Sequence, residues 1–97
     1  MSKPNLEKDK KLLVETLRRL KSSDLSNFLD DLLTEEEILD LAQRIKIAQQ
    51  ILGGKTYDEI VENVGTSTAT VSKIGQTIKY GKGSLQKILG KKSDKAS

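Results

Sequence analysis

Ninety-seven residues carry 17 Lys/Arg and 14 Asp/Glu, a net charge of +3, with one Phe, two Tyr and no Trp, Cys or His. A chain of this length makes one small domain, over residues 1–90, with a core of Leu, Ile and Val; without Cys or His, disulfides, thiol and imidazole catalysis and zinc sites of the usual N/S type are excluded. No apolar run reaches the roughly 18 residues of a membrane span, and MSKPNLEKDKK lacks the apolar stretch of a secretory leader, so the cytoplasm is the expected compartment.

Residues 1–5 hold the only proline and are expected to fray. From Leu6 to Leu20 the pattern is helical: Leu6, Leu13, Leu17 and Leu20 share a face, and Leu12 and Val14 broaden it. A face this broad suits either an intramolecular core helix or one that packs against a second copy of the chain. Ser22-Ser23-Asp24 reads as a break and an N-cap before a short helix over Leu25–Leu32, with Leu25, Phe28, Leu29 and Leu32 inward. Asp30 and Asp31 look outward. Paired carboxylates invite an acid–base or metal reading, but nothing at ligand spacing supports them, so they read as a solvated face.

Thr34 and Glu37 form a capping box that opens a third helix, with Glu35 and Glu36 also at the positive end of its dipole. Ile38, Leu41, Ile45, Ala48 and Leu52 repeat at spacings of three and four, and Leu39, Ile47 and Ile51 add a second stripe. This is the expected central helix, buried on more than one side and ended by Gly53-Gly54.

Thr56 to Tyr80 reads as helix, tight turn, helix. Thr56 and Glu59 are a second capping box; Ile60, Val61 and Val64 are apolar; Gly65 stands where a helix stops. Thr66 or Ser67 caps the next helix. There Val71, Ile74 and Ile78 share one face, while Ser67, Thr68, Ala69, Ser72, Lys73 and Gln76 project from the other. Small residues let a backbone approach DNA closely, and polar tips meet base edges and phosphates, so these six are the expected DNA-binding residues. The plain alternative is a solvated helical hairpin. Charge distribution agrees with the first reading: residues 1–43 carry net −3 and residues 44–97 net +6. After the break at Tyr80–Gly83, Ser84 caps a last short helix containing Leu85, Ile88 and Leu89, and Gly90 ends it. KKSDKAS, residues 91–97, is a basic tail expected to be disordered.

With six helices in this order, and LAQR, GKTYDEI, TSTATVSK and KYG at their separations, residues 25–81 resemble the Trp repressor superfamily, most of all its YerC/YecD-type members. The first helix is similar in position and character more than in sequence. The resemblance implies an all-α fold and an intertwined homodimer, in which the N-terminal helices of each chain wrap around the other. It also implies two recognition helices entering successive major grooves about 34 Å apart, a docking geometry of which the Trp repressor is itself an example.

The resemblance further implies a pocket between the third helix and the recognition helix, where tryptophan-responsive members hold their corepressor. Arg44 stands where an Arg packs on the indole. Lys73 stands where a second Arg meets the carboxylate; it keeps the charge but loses the bidentate fork. The next position, a Gly in those repressors, is Ile74 here. Thr34, Thr70 and Thr77 are compatible but unspecific. Ile74 is expected to fill the pocket, pointing at the third helix near Ile45 and Ala48.

These readings converge on a sequence-specific transcriptional regulator, a repressor, that binds double-stranded DNA as a homodimer. It is expected to use no cofactor and no metal, to have no membrane partner and to be no enzyme, and tryptophan is not expected to gate it. The alternative is a protein-interaction or architectural module that retains the fold.

Overall fold

A computed structural model describes residues 3–90, all helical apart from caps and turns. They fall into two compact units, with the boundary after Ile38. The basic tail of residues 91–97 lies outside the described residues.

The first unit begins with α1 (Leu6–Arg18). Asn5 does not fray: its side chain accepts the Lys8 amide at 3.0 Å, and its own amide donates to Asp9 at 3.2 Å. The helix stops at Arg18 rather than Leu20, because the Arg19 and Leu20 amides tighten onto the carbonyls of Thr16 and Leu17, both at 3.1 Å. Next, α2 spans Ser22–Leu32 and starts earlier than Leu25. The break falls at Leu20-Lys21, and Asp24 sits inside the first turn, accepting the Lys21 amide at 3.4 Å. Neither helix contains a buried residue. Leu25 and Leu32, expected inward, are exposed, while Phe28 and Leu29 are half-buried.

α3 (Glu35–Leu52) opens on the expected capping box: Glu37 N–H donates to Thr34 Oγ1 at 3.1 Å and Thr34 N–H to Glu37 Oε1 at 2.9 Å. From Leu39 onward the helix belongs to the second unit. There it is followed by α4 (Tyr57–Val64), α5 (Thr68–Tyr80) and a closing π-helical turn (Gln86–Gly90). The core of this unit is Ile47, Ala48, Ile60, Val71 and Ile74, flanked by Ile51, Val61, Val64, Ile78, Leu85 and Leu89.

The two stripes on α3 have different fates. The longer one gives the core only Ala48; Leu41 and Ile45 are exposed, Ile45 by 47%. The shorter stripe supplies Ile47 and Ile51. Ile74 packs in the cluster with Ile47 and Ala48, as expected for Ala48, while Ile45 is not part of that cluster. Two stripes at different angles about one helix axis cannot both face the same neighbours.

The last segment also differs from its reading as an ordinary short helix. After Ser84 and Leu85 the turn widens to π geometry, with Leu85 and Leu89 held against the core.

Candidate nucleic-acid interface

α4 and α5 pack against each other, joined by Gly65-Thr66-Ser67. Each end of that connection has a local cause. Gly65 adopts φ 76°, a left-handed conformation that costs glycine nothing, and its amide and that of Thr66 return to the Val61 carbonyl at 3.0 and 3.3 Å. Ser67, not Thr66, is the N-cap of α5: its Oγ accepts the Thr70 amide at 3.1 Å and lies 2.9 Å from Thr70 Oγ1.

The start of α4 is equally well held. Glu59 N–H donates to Thr56 Oγ1 at 3.1 Å, and Thr56 N–H donates to Glu59 Oε1 at 2.8 Å. The Thr56 backbone amide holds the Glu59 carboxyl below its ordinary value, slight desolvation opposes this, and the Thr56 hydroxyl and the Lys55 charge add to the lowering.

Burial of Val71 and Ile74 sets the rotation of α5 about its axis. It leaves Ser67, Thr68, Ala69, Lys73 and Gln76 exposed, with Ser72 half-buried beside them. All six lie within three turns of one helix, and Ser67 alone among them is already engaged, as the cap. The other five present two hydroxyls, a methyl, an ammonium and an amide, a set that can contact base edges and phosphate oxygens.

The residues aligned with the corepressor pocket are distributed differently. Ile74 is 9% exposed and part of the core, while Arg44 and Lys73 are exposed. The three threonines have local partners: Thr34 caps α3, Thr70 pairs with Ser67, and Thr77 Oγ1 donates to the Lys73 carbonyl at 3.2 Å. Among the described residues there is no group of His, Cys, Asp or Glu arranged to hold a metal ion, and no helix is long and apolar enough to cross a membrane.

Two features of this region escape the sequence reading. Gln86 Nε2 donates to the Ile78 carbonyl at 2.6 Å, satisfying an acceptor in the last turn of α5, while its Oε1 is buried without a partner. Eight residues separate donor and acceptor, and no local pattern announces such a pair. The second is Gly75, in the middle of α5. A Cβ built there would overlap Tyr57 Oη and lie 3.1 Å from Tyr57 Cζ. An isolated glycine inside a helical pattern is the signal that could have found it.

The family model described as Trp repressor protein matches residues 8–93. The chain is also 40% identical over 62 residues to a Bacillus subtilis (strain 168) protein carrying the name uncharacterized protein YerC; the match covers 64% of this chain and 60% of that relative's length. No solved structure matches this chain.

Proposed function

This chain belongs to the Trp repressor family, and we propose that it is a sequence-specific DNA-binding transcriptional regulator, a repressor, acting in the cytoplasm as a homodimer and not as an enzyme. In this reading α4, the Gly65 turn and α5 form a helix-turn-helix whose second helix enters the major groove. One observation carries it: burial of Val71 and Ile74 leaves a small, polar and cationic face on α5, formed by Thr68, Ala69, Ser72, Lys73 and Gln76.

The homodimer rests on uncovered apolar surface. Leu6, Leu12, Leu13, Val14 and Leu17 of α1 are all exposed in the single chain, Leu6 by 82%. A second copy that covers them would remove this apolar surface from water, and a five-residue core is small for a chain of this length, so folding and association are expected to be linked.

Tryptophan does not gate binding in this reading. Burying an Ile contributes about 2–3 kcal/mol. Ile74 supplies that packing between α3 and α5 at all times, so no ligand is needed to select a DNA-competent position of α5.

Binding-site selection on random duplexes with the purified protein tests the proposal. An enriched pseudo-palindrome is expected, with affinity weakened in Lys73→Ala and Gln76→Ala. Affinity should also fall steeply with salt, each neutralised phosphate adding roughly −0.9 to the log–log slope. Adding L-tryptophan should change nothing; a saturable calorimetric signal coupled to tighter DNA binding would mean that the pocket is open. The alternative, docking on another protein, draws on the exposed Tyr80 and Ile88. It predicts no enriched duplex and loss of function on replacing those two.

A further inference from the structure

Glycine is the weakest helix former after proline, and Gly75 lies eight residues into the structure that follows the Ser67 cap, where α5 has no turn to make. Its backbone is helical, with no positive φ that would require glycine. What it requires instead is space. The Tyr57 ring lies against the α5 backbone at this point: an added Cβ would overlap the phenol oxygen, approach Cζ to 3.1 Å and reach Ile51 Cδ1 at 3.8 Å. The notch is therefore shaped by side chains from α3 and α4 together.

Its place on the helix is specific. At 3.6 residues per turn, Gly75 stands between Ile74, which faces the core, and Gln76, which faces outward. It is also about 12 Å along α5 from Ser67, at 1.5 Å per residue. The Gly65 turn joins α4 and α5 at one end only. Tyr57 is the first residue of α4, and its backbone is fixed by the Thr56–Glu59 capping box. Its ring joins the far end of α4 to the middle of α5. It is a contact additional to the Gly65 turn and to the buried Ile60, Val71 and Ile74, and it lies farthest from the turn, where it constrains the angle between the two rods most.

We propose that Gly75 and Tyr57 are positioning residues, a notch and the ring that fills it, which set the angle at which α5 presents Ser72, Lys73 and Gln76 to DNA. The proposal deepens the DNA-binding reading and rests on it. Tyr57 is 41% exposed, so its ring is not one of the buried core residues; what it contributes is the orientation of one helix on another.

The test compares Gly75→Ala, Tyr57→Ala and the double variant of the full chain, against the selected duplex and a scrambled one. Gly75→Ala should weaken specific binding about tenfold and Tyr57→Ala about threefold, and the double variant should match Tyr57→Ala instead of multiplying the two losses, because the clash is gone with the ring. Binding to the scrambled duplex, which depends on charge, should stay constant across the set. Multiplicative losses, or a Gly75→Ala protein that is more stable and binds as wild type, would overturn the proposal. Nuclear Overhauser contacts between the Tyr57 ring and Gly75 Hα in the unmodified protein provide a measurement independent of any variant's folding. Their absence overturns the notch. Their presence with no duplex binding by the wild type keeps the notch and rejects the DNA-binding reading, and with it the role assigned to the angle.

Discussion

α1 and α5 are each thirteen residues long, each carries an apolar stripe and each starts on a side-chain cap, Asn5 and Ser67. In the single chain α5 buries Val71 and Ile74, and α1 buries nothing. The difference lies in partners and not in the helices. α5 is tied by a three-residue connection to α4, which has a matching apolar face, whereas no residue of α1 or α2 reaches full burial in the first unit. An amphipathic stripe states that a face has to be covered; it does not name what covers it.

The largest effect is expected at α1. If a second copy covers its stripe, Leu13→Glu with Leu17→Glu removes two leucines worth roughly 1.5–3 kcal/mol each, against a total stability of about 5–15 kcal/mol. Sedimentation and circular dichroism should then show dimer and helix content lost together. A variant that keeps both would mean that this face is solvated.

The second unit supplies the contrast within one chain. Ile60→Ala, at a fully buried site, should cost about 2–5 kcal/mol in denaturant unfolding. Ile88→Ala, at a side chain 69% exposed, should stay within about 0.5 kcal/mol. A large loss at Ile88 would instead reveal a partner surface on the closing turn.

Helix caps should erase the difference between the units, because their bonds are local. Thr34→Ala and Thr56→Ala each remove a hydroxyl that accepts an amide at 3.1 Å, and each should cost about 1 kcal/mol in the same assay. Unequal losses would show that one cap also serves a tertiary contact.

The smallest effect is on pH dependence. Glu59 is held below its ordinary value because the folded chain offers its carboxylate the Thr56 amide. A group whose value is lowered on folding stabilises the fold at neutral pH, and that contribution disappears as pH falls from the ordinary carboxylate value through the lowered one. Glu59→Gln should therefore flatten the acid limb of the stability curve slightly and leave the neutral-to-alkaline limb unchanged.

Much of this region is legible in sequence because its signals are short-range. Capping boxes span four residues, a helix face repeats within a turn, and Gly65 follows Val64 where positive φ is needed. These place α3, α4 and α5 to within a residue or two, and they place Thr68, Ala69, Lys73 and Gln76 on the surface opposite Val71 and Ile74. Corrections occur where the signals compete. Ser22 and Ser23 resemble a break, yet they lie in α2, since Asp24 can reach back to the Lys21 amide only when they are helical.

Local features follow from the sequence alone: which stretches are helical, where the capped helices α3, α4 and α5 begin, and which side chains share a face. Tertiary structure alone decided which face is used. It took Ile47 and Ile51 into the core and left Leu41 and Ile45 outside, although the latter belong to the longer repeat. It also seated Tyr57 on Gly75 and Gln86 on the Ile78 carbonyl. The physical reason is that periodicity records the angle of a side chain about its own helix axis, whereas burial depends on which other helix lies in that direction, and that is set by contacts between residues far apart in the chain.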